Sequence, residues 1–352
     1  MKFRSAIPLY FLSLIPLGWA GVDLRPELIL YTYDSFVAKG GPGAEILPRF
    51  EKLCACKVRA LSAGSGAQLI ARLELDYERA KPTAQVVLGL DQHLWDRAKS
   101  YIEPWGEWRP KGYSGILPEL KAIPAKEGFL PFDYGIFAMM ADREALQELK
   151  LSVPEKLGDL LKGEWKRNII LEDPRTSTPG LAFLLYTQEV FGKNVWDFWT
   201  ALRTQWLTLA PGWDGAYGLF LKKEAPLVWS YTTSQAYHAE HGDKVGRYQA
   251  ILFQEGQPIQ IEGAALVKGN LSDPAARARA QAFLEFLIST EVQGLLSKTN
   301  WMLPSVRGVA LPASFKALPQ PKKLFQIRTR AEQVKQVLRD WDRAVSQAKG
   351  SR

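Results

Sequence analysis

Apolar and polar positions along the chain switch repeatedly between the two-residue period of strands and the 3.6-residue period of helices. Leu28 to Thr32 form a short apolar run that ends in Tyr33-Asp34-Ser35, a buried strand closed by a polar turn. Ile46, Leu47, Phe50 and Leu53 then recur at helical spacing. Lys57 to Leu61 predict a second strand, Ala63-Gly64-Ser65-Gly66 a turn, and Leu69, Ile70 and Leu73 the apolar side of a helix. Gln85 to Leu90 read as a buried strand closed by Asp91. The middle of the chain repeats this grammar. Asn168 to Leu171 predict a strand, and Asp173-Pro174-Arg175-Thr176-Ser177-Thr178-Pro179-Gly180 leads into a helix over Leu181–Val190. Thr178 is the expected N-cap and Pro179 the first helical residue. Pro226 to Tyr231 predict another strand, followed by a helix from about Thr233. Strands alternating with helices imply βαβ units, an α/β fold and a mostly parallel sheet. Val334, Val337, Leu338, Trp341 and Val345 form one face of an amphipathic helix packed on the body. Residues 104–131, rich in Pro, Gly and Trp, read as a long surface excursion or an approach between lobes.

Composition narrows the class. A length of 352 residues suffices for two domains or one large one. Hydrophobic residues make up 47% and charged ones 23%, values that exclude a disordered chain or a coiled coil. The net charge of +8 is spread along the chain without a Lys/Arg block interleaved with aromatics, so no nucleic-acid partner is expected. A basic surface favours an anionic ligand or approach to anionic lipid, although most of it is solvated surface. Twelve Trp are either extra core or a stacking surface. Residues 1–20 carry the three parts of a secretory signal peptide: Lys2 and Arg4, the apolar stretch Ile7 to Leu17, and a small-residue site at Gly18-Trp19-Ala20. The apolar stretch is too short to span a bilayer and contains Pro8 and Pro16. Cleavage after about Ala20 would release a soluble periplasmic protein. The two cysteines, Cys54 and Cys56, lie far from that site, so no lipid-modified N-terminal Cys is expected. In an oxidising compartment they form a local disulfide or stay as two free thiols, in preference to a metal site.

Catalytic motifs fail. Gly64-Ser65-Gly66 lacks the third glycine of a dinucleotide fingerprint, and there is no Walker A, GxSxG or HExxH sequence. His238 and His241 share a helix face but read as a surface pair, since no third ligand accompanies them. No cofactor is implied. The chemistry lies elsewhere. Gly64-Ser65-Gly66, Ser177-Thr178-Pro179-Gly180 and Tyr231-Thr232-Thr233-Ser234 each follow a strand and open a helix, where free N–H groups favour an anion. Alone, each such turn is ordinary capping; two facing one another across a cleft would mean more. Aromatics fall beside these turns: Tyr33 ends a strand, Trp213 enters a helix, Tyr231 ends a strand with Tyr237 six residues on, and Trp301 sits in a loop. Placed at strand ends and loops, they suit a stacking site; core or hinge packing is the plainer use of each.

These residues resemble the periplasmic thiamine-binding proteins of ABC importers. The matching runs are Leu30-Tyr31-Thr32-Tyr33-Asp34-Ser35-Phe36, Val87-Leu88-Gly89-Leu90-Asp91, Pro131-Phe132-Asp133-Tyr134-Gly135 and the whole stretch from Asp173 to Gly180. Gly212-Trp213, Ala216 to Lys222, Ser230 to Ser234, Asn300-Trp301-Met302 and Cys54-Ala55-Cys56 complete the set, in order, over the mature chain. The resemblance implies a two-lobed type II periplasmic-binding fold with a hinge. Lobe one is expected at 22–132 plus 256–310, lobe two at 133–255, and a C-terminal extension at 311–352. It implies a monomer that hands thiamine, or its mono- or diphosphate, to an ABC permease. Tyr33, Trp213, Tyr231, Tyr237 and Trp301 occupy the positions of an aromatic cage. Ser177 and Thr178, with Ser65 and Gly66, match the region that meets the hydroxyethyl or phosphate end.

Two positions depart from the family pattern: Gly40 stands where a Trp is common, and Ser65 where an acid is common. The first removes a stacking wall, and the second removes repulsion against phosphate. Two other readings stay open at this point. A ferric-iron or other small-cation protein on the same fold would use clustered Tyr phenolates with His or carboxylate ligands. An exported thiamine-degrading enzyme would need a nucleophile at the ligand.

Overall fold

The computed structural model describes residues 25–347, so the expected signal segment lies outside the described residues. Strands β1 (Glu27–Thr32), β2 (Lys57–Ser62) and β3 (Val86–Asp91) run parallel with β1 in the middle. They continue through β4 (Leu130–Asp142), β5 (Ile169–Glu172), β6 (Trp206–Ala210), β7 (Leu227–Tyr231), β8 (Tyr248–Ile251) and β9 (Gln257–Leu266). The path across the sheet is β2-β1-β3-β9-β4-β7-β5-β6. Two short strands, β10 (Leu303–Pro304) and β11 (Leu324–Phe325), pair with β4 and β9 respectively.

β4 carries the architecture. Its first half, Leu130 to Ile136, pairs antiparallel with β9, and its second half, Phe137 to Asp142, pairs with β7 and β8. One strand therefore belongs to both lobes, and β9 ties it back to β3. Periodicity leaves β4 and β9 unassigned. Both are buried along nearly their whole length, so neither alternates. The five expected strands, β1, β2, β3, β5 and β7, agree to within one or two residues, whereas β6 and β8 have no counterpart among the expectations.

Five expectations need correction. The sheet is mixed and not mostly parallel, because β4 and β9 run antiparallel to their neighbours β3, β7 and β8 and to each other. Ser177, not Thr178, caps the helix Thr178–Phe191, accepting from the Gly180 N–H at 3.3 Å, so Pro179 is the second helical residue. The Thr178 hydroxyl is turned away, donating to Asp91 Oδ2 at 3.1 Å. Leu53 is 67% exposed and is not on the packed side of its helix, Pro42–Cys54. Residues 104–131 are no excursion: Trp105, Ile116, Leu120 and Phe129 are buried, and Ile116 bridges to Val306. His238 and His241 are not a surface pair. His238 is buried between Tyr217 (2.8 Å) and Asp243 (2.7 Å), while His241 is exposed and stacks on Tyr237.

Cys54 and Cys56 are joined in a disulfide around Ala55, which adopts a left-handed conformation at φ 50°. Tryptophan is mainly core: Trp165, Trp199, Trp229 and Trp341 are fully buried. The C-terminal extension touches both lobes. Before its helix, Ala331–Gln347, the Thr329 hydroxyl donates to His93 O (3.0 Å) and the Ala331 N–H to Asp96 (2.9 Å). Along the helix, Trp341 packs edge-on against Trp199.

Candidate ligand cleft

β1 ends at Thr32 and delivers Tyr33 just past the C-terminal end of a strand inside the sheet. Its ring lies against Gly89 of β3, where an added Cβ would come within 2.1 Å of the ring; Gly89 also has φ +99°, so no other residue fits there. Tyr231 ends β7 and stacks on Phe137 with centroids 4.6 Å apart. It lies over Gly135 of β4, where a Cβ would fall 2.6 Å from the ring. Trp213 opens the helix Trp213–Leu221 behind the extended Gly212. Its indole stacks on Tyr217 at 4.9 Å and its N–H donates to Ser230 Oγ at 2.8 Å. Tyr237, on the helix Thr233–Glu240, meets Trp301 edge-on at 5.1 Å. Trp301 follows the helix Thr290–Thr299, at φ 54°, a costly conformation for an aromatic residue.

The two helix-opening turns do face each other. The Ser65 hydroxyl donates to the carbonyl of Thr176, and Thr178 reaches Asp91 from the opposite side. All nine residues singled out in the sequence (Tyr33, Ser65, Gly66, Ser177, Thr178, Trp213, Tyr231, Tyr237 and Trp301) line one cavity of about 650 Å³.

That cavity is acidic beneath its aromatic walls. Glu262 and Gln260 of β9 line it, with Asn300, Asp34 and Asp214. Periodicity and motif reasoning miss Glu262 and Gln260. The available signal is polar residues inside an otherwise apolar strand. Burial pushes Glu262 up to about 7, and pushes its strand neighbour Asp133 well above the carboxylate range, with Glu262 adding to that rise. Burial likewise raises Glu172 to about 8, although the Ser177 hydroxyl donates to it at 2.6 Å. Burial, followed by the charges of Glu262 and then other nearby acids, holds the Tyr33 and Tyr231 phenols protonated far above their usual range. Among the described residues no group of three His, Cys, Asp or Glu is placed to hold a metal ion. Such a site suits a flat, cationic heterocycle: rings to stack on, acids to balance charge, and helix N-termini at one end.

Two α/β lobes joined by shared strands, with an aromatic cavity fed by both, define a solute-binding protein. Residues 111–329 match the family described as bacterial extracellular solute-binding protein. A thiamine-binding periplasmic protein of Brucella abortus is 38% identical over 328 residues, 93% of each chain. Its Escherichia coli counterpart is 37% identical over 348 residues, 97% of this chain and 99% of that one. A solved periplasmic thiamin binding protein superposes with a TM-score of 0.79 at 36% identity, over 95% of this chain and 100% of the other. The chain belongs to the family of periplasmic thiamine-binding proteins.

Proposed function

We propose that this protein captures thiamine in the cleft between its lobes and presents it to the permease of an ABC importer. One observation carries the reading: five aromatic side chains from separate elements of both lobes wall a single cavity with buried carboxyls beneath it. Thiamine joins a permanent thiazolium cation to a flat aminopyrimidine. A cation over an aromatic face gains roughly 0.5–2 kcal/mol, and an offset ring pair about 0.5–1.5 kcal/mol. Several such contacts in a closing cleft support submicromolar affinity, about −8 kcal/mol. Tyr33, Trp213, Tyr231, Tyr237 and Trp301 are the cage in this reading. Ser65, Gly66, Ser177 and Thr178 meet the hydroxyethyl end, or the phosphate of thiamine mono- or diphosphate.

The lobes part at 132/133 and 255/256 in this proposal, and the chain acts as a monomer cleaved after about Ala20 in the periplasm. It is read as a binding protein and not an enzyme. The cysteine nucleophile that a thiamine-degrading enzyme would use is absent from the cavity lining, since Cys54 and Cys56 are joined to each other. An iron site would need clustered phenolates with His or carboxylate ligands, whereas the Tyr33 and Tyr231 hydroxyls each donate to a neutral amide oxygen, of Asn300 and Gln260 respectively. Calorimetric titration with thiamine, its mono- and diphosphate, and ferric citrate decides the matter. Submicromolar binding of one of the first three is the expected result, and binding of ferric citrate alone would overturn the reading.

A further inference from the structure

Asp133 of β4 and Glu262 of β9 are register partners on adjacent antiparallel strands, so their side chains leave the same face of the sheet. Asp133 is completely buried, and Glu262 stands in front of it on the cavity wall. Around them runs one hydrogen-bonded network. Asn300 Nδ2 donates to Asp133 Oδ2 at 2.6 Å, and the Tyr33 hydroxyl donates to Asn300 Oδ1 at 3.3 Å. On the other side, Gln260 Nε2 donates to Glu262 Oε1 at 2.7 Å, and the Tyr231 hydroxyl donates to Gln260 Oε1 at 2.9 Å. Both tyrosines are thus held by the amides of Asn300 and Gln260, whose N–H groups in turn serve the two acids. Two buried oxygens are left over, Asp133 Oδ1 and Glu262 Oε2, and neither has a donor.

Two ionised carboxylates do not sit side by side in a buried site with bare oxygens. A proton retained by the pair gives one carboxyl a donor for the other. The groups around the pair act on that proton in both directions. Burial comes first and holds it, and the charge of Asp91, ending β3, acts the same way, while the Tyr33 hydroxyl and the Gln260 amide beside Glu262, and the Asn300 amide beside Asp133, favour the ionised forms. Tyr231, ending β7, adds a neutral phenol. No cation is among the leading influences on either carboxyl, although Lys39 lines the same cavity. A positive charge brought against the pair from the cavity side would be its strongest counter-charge.

We propose that the Asp133–Glu262 pair is the counter-charge of the ligand site, giving up one proton to solvent as a cationic heteroaromatic ligand settles in the cage. This rests on the thiamine reading above and extends it to the residues that select charge. A cation held against Glu262 favours its ionised form. The proton is released only where the free pair still holds it, which for Glu262 is below a pH of about 7. Affinity is then level above that pH and falls below it, by up to about tenfold per unit.

The test is calorimetry of the full-length mature protein with thiamine between pH 6 and 8, in buffers of different ionisation enthalpy, which reads proton release directly. Wild type is expected to release close to one proton at pH 6 and few at pH 8, and to bind several-fold more weakly at pH 6. Glu262→Gln keeps the shape and the Gln260 contact. It should bind at least about tenfold more weakly at pH 8 and release no proton from the protein. The titration of free thiamine is common to both proteins and cancels. Asp133→Asn is the second variant and should likewise abolish the release. Thiochrome, a neutral fused relative of thiamine, should bind without release. Wild-type binding with no proton release, or unchanged release and affinity in Glu262→Gln, would overturn this inference while leaving the thiamine reading intact. Failure of wild type to bind thiamine at any pH would overturn the thiamine reading itself.

Discussion

Cutting Trp213 to Ala separates a cleft wall from a core residue. In the ligand-free protein the indole is only half-buried, stacked on one face by Tyr217 and tied by one hydrogen bond to Ser230 Oγ. Loss of that bond costs about 1 kcal/mol, and less here because Ser230 Oγ also pairs with Ser234 Oγ at 2.8 Å. Loss of the stack costs about 0.5–1.5 kcal/mol. The stability cost is therefore about 1–2 kcal/mol, a melting shift of a few degrees. Trp229 is the control. It is fully buried, stacks on Phe137 and donates to Pro179 O at 3.1 Å. Its removal should cost about 3–5 kcal/mol. Binding should show the reverse order of effects. A buried aromatic hot spot is worth about 2–4 kcal/mol, or roughly 30- to 1000-fold in affinity. Trp213→Ala and Trp301→Ala should thus weaken thiamine binding at least about tenfold by calorimetry while the unliganded melting point moves little. Two results would refute the assignment: normal affinity in both variants, or unfolding of both to the extent seen for Trp229→Ala.

Ligand contacts on both lobes give the closed form its extra affinity, so thiamine should shrink the radius of gyration in small-angle scattering; an unchanged radius at saturation contradicts a hinge. Glu172 supplies a pH test of stability. Its folded value of about 8 lies above the ordinary 4.5, so the native state holds the proton more tightly than the unfolded chain. Native stability is then lost progressively as pH rises from about 4.5 to 8. Glu172→Gln should melt higher than wild type by a margin that grows across that window, and a margin independent of pH would count against a buried neutral acid. Intact mass of periplasmic protein should correspond to a chain beginning near Gly21; a mass that retains Met1 to Ala20, or carries a lipid, would contradict cleavage.

The strands legible from sequence are short apolar runs closed by a polar turn and followed by a helical period. β1, β3, β5 and β7 are bounded by turns and followed by helices, and three of them end at residues that the motif reading singles out: Tyr33 just past β1, Asp91 and Tyr231. The helix-opening serines and the aromatics that line the cavity are visible for the same reason, since they sit where a period breaks. β4 and β9 are not legible, because their apolar runs are broken by Pro131, Asp133 and Gly135 in one and by Pro258, Gln260 and Glu262 in the other. That failure also hid the acids. Asp133 and Glu262 lie 129 positions apart in sequence and become neighbours only through a register that no local pattern encodes. Yet a carboxylate inside a strand buried on both faces is expensive unless something pairs with it. Such a residue is therefore a sequence-level signal in its own right. In Gln260-Ile261-Glu262 the polar side chains alternate toward one face of an apolar strand, and in this fold that face is the cleft. The strands shared between the lobes thus also carry the acids beneath the cavity, so that in the proposed mechanism closing the lobes and matching the ligand's charge would act on the same two segments of chain.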